Sequence, residues 1–270
     1  MKNSQFICLL TIMLACFSCT QKLLKTQSPV ELKIMSYNIH HANPPSKPEL
    51  IDMEAIANTI SKAQPDLVAL QEVDVNTKRS GNLDQANWLA KRLKMNVFFA
   101  KAIDHDGGEY GVAILSRFPI EDKRIIRLPS KPETKGEPRI LATVIVQLPN
   151  NQKIKFGCTH LDAQKEETNR LLQANELIAQ GRSEKAPFIL AGDWNAKPGS
   201  KTVDSLDKAF TRTCQDCAYT IPVINPRSTI DFISYSNQHP FQVISHEVIP
   251  ERYASDHLPI VSILKLIKQK

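Results

Sequence analysis

The sequence predicts an α+β protein made of two packed, mixed β-sheets with helices outside them. Three observations carry that expectation. Strand and amphipathic helix alternate through the first part of the chain and then give way to consecutive strands, which excludes both a pure doubly wound sheet and an all-β sandwich. The composition is ordinary for a globular chain, 42% hydrophobic and 23% charged over 270 residues, with no internal repeat or low-complexity tract. Finally, several apolar strand patterns end on polar residues capable of chemistry, namely Asn38, Glu72, His160 and Asp193.

The elements follow in order. Glu31 to Asn38 alternates as a strand, and a Pro-rich loop follows it. Residues 49–63 place Leu50, Ile51, Met53, Ile56, Ala57 and Ile60 at helical spacing, and Pro65 stops that helix before the apolar strand Leu67 to Leu70. A second helix is expected over 83–94, then strands over 97–102 and 111–116 with Gly107 and Gly108 in the turn between them. Strands over 123–128, 139–148 and 153–159 come next, the last two joined by Pro149-Asn150-Asn151-Gln152. A helix over 164–181 carries Leu171, Leu172, Ala174, Leu177 and Ile178 on its inward face, with Gly181 as a stop. Strands at 188–191, 230–234, 241–249 and 258–267 complete the reading.

The N-terminus suggests where the chain goes. Phe6 to Phe17 is an apolar run behind Lys2, too short to span a bilayer, and it reads as a secretory signal. Cys16 and Cys19 at its end resemble the site at which bacterial lipoproteins are cut and acylated. Residues 1–19 are therefore expected to be a signal peptide, 20–30 a polar tether and 31–270 a single folded domain, exported and lipid-anchored at a bacterial envelope. Removing Lys2 with the signal takes the net charge from +6 to +5, and no block of like charge forms a nucleic-acid arm. Cys214 and Cys217 lack a second pair or a His cluster, so a loop disulfide or free thiols are preferred over zinc.

Four segments concentrate the chemistry: Ser36-Tyr37-Asn38, Gln71-Glu72, Gly192-Asp193-Trp194-Asn195 and Ser255-Asp256-His257-Leu258-Pro259. Each alone reads equally well as turn or cap residues. With Thr159-His160 and Ile230-Asp231-Phe232-Ile233, in this order, they resemble the endonuclease/exonuclease/phosphatase superfamily of metal-dependent phosphoesterases. The resemblance covers about residues 31–267 and implies a four-layer αββα sandwich, two central mixed β-sheets flanked by helices, with the site at one edge of the sheets.

A phosphodiester resists attack because it is anionic, so such a site must neutralise charge, supply hydroxide and stabilise the leaving oxygen. Glu72 is the natural cation anchor, with the Asn38 amide oxygen and Asp256 as further ligands of Mg²⁺, or of Mn²⁺ or Ca²⁺ in its place. Asp193 would orient and deprotonate water while the Asn195 amide donates to a phosphoryl oxygen. His257 would deliver a proton, and the resemblance pairs it with Asp231 and sets His160, in its protonated form, against the scissile phosphate. Arg139 and Arg170 are candidate phosphate contacts, and Tyr110, Glu109 and Arg79 lie where they could reach the site. His40, His41 and Asp162 read as ordinary loop residues.

The resulting expectation is a Mg²⁺-dependent phosphoesterase, foremost a phosphodiesterase acting as a monomer on a lipid head group, sugar or other small phosphoester. A secreted nuclease is the alternative, disfavoured because the basic residues do not cluster. A binding lipoprotein without catalysis is the alternative of another class, and would be expected to have lost Glu72, Asp193 or His257.

Overall fold

A computed structural model describes residues 30–267; the expected signal, Cys16, Cys19 and all but the last residue of the tether lie outside them. Strands β1 (Glu31–Asn38), β2 (Leu67–Val75), β3 (Asn96–His105), β4 (Gly108–Ser116), β5 (Ile120–Arg127), β6 (Ile140–Gln147), β7 (Lys153–His160), β8 (Phe188–Asp193), β9 (Phe210–Arg212), β10 (Asp231–Ser236), β11 (Phe241–Val248) and β12 (Ile260–Leu266) form two sheets. Helices α1 (Met53–Ala63), α2 (Gln85–Leu93), α3 (Thr168–Ser183) and α4 (Lys201–Leu206) cover their outer faces. The four-layer αββα sandwich is the observed architecture.

One sheet runs β11-β12-β1-β2-β4-β3 and the other β5-β6-β7-β8-β10-β9. Each contains a single parallel pair, β1 with β2 and β7 with β8, joined by a crossover that contains α1 or α3. Between the sheets lies the main core, including Leu32, Ile34, Ala142, Phe156, Ile189 and Ile233. Met35, Val68 and Leu70 turn outward onto α1 and α2, and Phe188, Leu190 and Phe232 onto α3 and α4. This two-residue alternation is the pleat itself.

Polar residues define the helix boundaries. Asp52 accepts the backbone N–H of Ala55 (3.0 Å) and Asp84 that of Asn87 (2.9 Å), so the helices expected from 49 and 83 begin at 53 and 85, after their caps. Helix α3 begins at 168 rather than 164, and Leu171 and Leu172 are only half-buried. Its first turns instead bury Asn169, Arg170 and Gln173 against polar loops, a reversal that hydrophobic spacing does not register. Helix α4 and strand β9 were outside the sequence expectation, being too short to show a period. Cys214 and Cys217 are joined by a disulfide, and Cys158 is a buried free thiol.

Candidate active site

The site is the place where the inter-sheet face runs out of apolar residues. Along β1 that face reads Leu32, Ile34, Ser36 and Asn38; along β7 it reads Ile154, Phe156, Cys158 and His160; along β8 it is Ile189, Ala191 and Asp193. Strand β10 enters the same row with Asp231 ahead of Ile233 and Tyr235. Register then aligns three of them: His160 pairs with Asp193, and Asp193 with Asp231, across β7, β8 and β10. All three are buried. An apolar residue in such a position contributes about 1.5–3 kcal/mol by burial, so this row forgoes packing for polar chemistry. Gly192 permits the close approach, because a Cβ there would sit 2.1 Å from the carbonyl oxygen of Thr159.

Glu72 breaks the parity. The inward residues of β2 are Leu67, Ala69 and Gln71, which would leave Glu72 on the helix side. A register shift between Leu70 and Val73, with Glu72 at φ 56°, re-aims it. Its Oε1 accepts from Asn38 Nδ2 (2.9 Å). Gln71 stays wholly buried and donates to the Cys158 sulfur across the sandwich (3.3 Å).

Asp193 Oδ2 is the point of convergence. It accepts from Asn38 Nδ2 (3.1 Å) and lies 3.7 Å from Nε2 of both His160 and His257, while Oδ1 accepts the backbone N–H of Asn195 (2.8 Å). Burial raises the Asp193 pKa to about 7, aided by the negative charge of Asp231 and opposed by His257 and the hydrogen bonds of Asn195 and Asn38. His257 is held from the other ring nitrogen, Nδ1, 3.0 Å from Asp231 Oδ2. Burial alone would lower its pKa, but Asp231, with Asp193 and Asp256, more than offsets this and raises it to about 10. Ser255 positions both halves, donating through Oγ to the Asn38 carbonyl (2.7 Å) and accepting the His257 backbone N–H (3.2 Å).

His160 differs from its expected charge state. Burial, the Arg139 guanidinium and His257 drive its pKa well below the usual value, so it is neutral at physiological pH. Arg139 Nη1 lies 3.1 Å from His160 Nδ1, and because arginine only donates, Nδ1 accepts and Nε2 carries the hydrogen. Arg139 also pairs with Glu137 (2.9 Å), and together with Tyr110 it lines a small cavity beside His160. Burial raises the Tyr110 pKa, with the Glu72 charge adding to it, so the phenol stays protonated.

Other expected residues take different places. The Arg170 guanidinium is engaged elsewhere: it donates to the carbonyls of Asp162, Gln164 and Lys165 and clamps the loop after β7. The Asn195 side chain donates to the Leu161 carbonyl (3.0 Å), leaving its backbone N–H to orient Asp193. Arg79 forms a bidentate pair with Asp74 (2.7 and 2.8 Å) and stacks over Tyr110, 5.5 Å from the ring centroid. Asn38 Oδ1 accepts the His40 backbone N–H (3.0 Å), which uses one of its two lone pairs. Asp256 is half-buried and belongs to neither group of residues able to hold a cation among the described residues; those groups are His40, His41 and Glu72, and Asp193, Asp231 and His257. Of the expected set, Glu72 and Asn38 are brought together by the hydrogen bond between them, whereas Asp256 joins neither of these groups. Sequence reasoning passed over His40 and His41, which sit in a 3₁₀ turn without periodicity; their only signal was adjacency just past the strand carrying Asn38.

A buried carboxylate held between two imidazoles at the edge of a double sheet, with a half-buried carboxylate and cation-capable groups beside it, is an arrangement suited to acid–base chemistry. The chain belongs to the Endonuclease/Exonuclease/phosphatase family, whose model matches residues 35–257. Members of that family hydrolyse phosphoesters with the help of divalent cations. The chain is similar to the uncharacterized protein YbhP of Escherichia coli K12, 26% identical over 246 residues that cover 84% of this chain and 94% of YbhP. In fold it is similar to a mannosyl-6-phosphatase of Bacteroides thetaiotaomicron VPI-5482 (TM-score 0.69, 22% identity, 88% of this chain and all of that one). It is also similar to the catalytic domain of human Nocturnin with bound sulfate (TM-score 0.70, 22% identity, 88% and 95%).

Proposed function

We propose that this protein is a divalent-cation-dependent phosphoesterase acting on a small phosphoester, foremost a diester of a sugar or a lipid head group. The observation that carries the reading is the convergence on Asp193 Oδ2 of Asn38, His160 and His257, with His257 fixed by Asp231. Asp193 accepts the proton of an attacking water, its basicity raised by burial into a range useful near neutrality. His257, a cation across that range, stabilises charge on the phosphoryl oxygens and supplies a proton to the leaving oxygen. His160 donates as a neutral imidazole through Nε2, and Arg139 brings the nearest permanent positive charge to that side. A bound cation would neutralise phosphate charge and lower the pKa of water. Glu72 fits it, since Asn38 occupies only one carboxylate oxygen and leaves the other.

The sugar-phosphate side of the reading draws support from the likeness to a mannosyl-6-phosphatase, and the small size of the substrate from the dispersed basic charge. Export and lipid anchoring rest on residues 1–19; serine at both Cys16 and Cys19 should release the protein to the soluble fraction, and unchanged membrane association would sink that part.

The deciding experiment is hydrolysis of a chromogenic phosphodiester beside its monoester and mannose 6-phosphate, with Mg²⁺, with Mn²⁺, with chelator, and with His257→Ala as control. Cation-dependent turnover lost in the variant supports the reading and ranks diester against monoester. Salt-sensitive cleavage of DNA with no turnover of small esters would replace it with the nuclease alternative.

A further inference from the structure

Glu72 does not stand alone on the cation side. One ring nitrogen of His40, one of His41 and a carboxylate oxygen of Glu72 lie within 4.8 Å of one another. Uncommon backbone conformations bring them together: φ is 45° at His40, 42° at His41, 60° at Ala42 and 56° at Glu72. Non-glycine residues hold such angles only where their surroundings over-determine them. Here the clamp is visible. Buried Gln85 donates through Nε2 to the His41 carbonyl (2.7 Å) and accepts the Asp74 backbone N–H (2.9 Å), while Asn38 Oδ1 receives the His40 N–H. His40 Nδ1 lies 2.9 Å from the Asn43 carbonyl and donates to it, which leaves the Nε2 lone pair for a ligand. That outer hydrogen bond is the arrangement that orients metal-binding imidazoles. His41 Nδ1 is buried without a hydrogen-bond partner, a polar atom in want of one.

We propose that His40, His41 and Glu72 form a site for a borderline divalent transition ion such as Fe²⁺, Co²⁺ or Zn²⁺, so that the cation anchored by Glu72 belongs to this class rather than being Mg²⁺ alone. The inference rests on the reading of Glu72 as the cation anchor. Its chemical basis is the donor set: two neutral imidazoles with one carboxylate suit first-row transition ions, whereas Mg²⁺ favours oxygen donors and retains its water. Three protein ligands also leave coordination positions for water or a phosphoryl oxygen.

The test uses the purified metal-free protein titrated with Co²⁺, read by visible absorption and by ¹H NMR for hyperfine-shifted exchangeable imidazole N–H signals. The expected result is two such signals, one lost in His40→Asn and one in His41→Asn, each with Co²⁺ affinity lowered about 10-fold or more. Asparagine is chosen because it tolerates the left-handed conformation, and circular dichroism checks the fold. Histidine variants with unchanged Co²⁺ spectra and affinity, or ready displacement of Co²⁺ by equimolar Mg²⁺, would overturn the inference. If Glu72→Gln abolishes cation-dependent hydrolysis while the histidine variants bind Co²⁺ normally, the site fails and the proposed function stands. Two-histidine Co²⁺ binding without hydrolysis of any ester has the opposite meaning.

Discussion

The two sheets present the same local device, a parallel strand pair whose C-terminal ends reach one edge of the sandwich, and use it differently. In the first sheet β1 and β2 deliver Asn38 and Glu72, the latter through a bulge, beside the left-handed turn of His40 and His41. Asn38 is buried and hydrogen-bonded, but Glu72, His40 and His41 are partly accessible and His41 Nδ1 has no hydrogen-bond partner. In the second sheet β7 and β8 deliver His160 and Asp193 with no bulge, in register with Asp231, all buried and paired. Burial and pairing set proton affinities, whereas open donors suit a cation. The contrast teaches that one strand-end geometry yields either chemistry, according to how many hydrogen bonds the side chain has already made.

That division can be broken from the proton side first. Asp193→Ala and His257→Ala should each lower turnover about 100-fold or more, about 2.7 kcal/mol of transition-state stabilisation, and the double variant should lose little further because the two act as a unit. Steady-state kinetics on the best ester checks this, and rates near normal would remove Asp193 from the mechanism. From the cation side, Glu72→Gln should lower turnover about 10- to 100-fold and raise the cation concentration needed for half-maximal rate. An unchanged cation requirement would place the ion elsewhere.

The pH profile sharpens the comparison next. Activity should rise as Asp193 loses its proton near pH 7 and fall as His257 loses its own near pH 10. Asp231→Asn removes an anion that favours imidazolium, so it should move the alkaline limb downward. Linkage has the same sign: the His257 pKa is raised on folding, so its stabilisation is complete below about 6.5 and is lost as pH rises through about 10. In the opposite sense, Arg139→Met takes a cation away from His160, and its imidazole should titrate at higher pH by NMR. No upward shift would disconnect the two residues.

The smallest expected effect separates a loop clamp from a phosphate ligand. Arg170→Ala should cost about 1–3 kcal/mol of stability in denaturant melts by orphaning buried carbonyls, with KM little changed. A raised KM at unchanged stability would restore the phosphate role.

Much of this was legible beforehand. Apolar runs ending at Asn38, Leu70, Cys158 and Gly192 marked strand ends, and polar residues placed there had no packing role to explain them. Asp231 was reached only through the resemblance, because it opens its strand, and His257 stood out only with its segment Ser255–Pro259, since it lies in a loop where no periodicity points to a face. Asp256 was expected as a second carboxylate on the cation side, but adjacent residues need not share a direction, and it joins neither group able to hold a cation among the described residues. Arg170 looked like a free cation on an amphipathic helix until the loop carbonyls it caps came into view.

The sequence by itself determined the layers, since two-residue and helical periods record which faces must leave water, and it determined which strands end in ionisable groups. Only the tertiary structure decided the rest. Register set His160, Asp193 and Asp231 in one row, a bulge turned Glu72 toward Asn38, and burial with contacts between residues tens of positions apart set the charge states. The physical reason is range: side-chain periodicity is written in neighbouring residues, whereas burial and Coulomb interaction depend on distances that exist only once the two sheets have closed on each other.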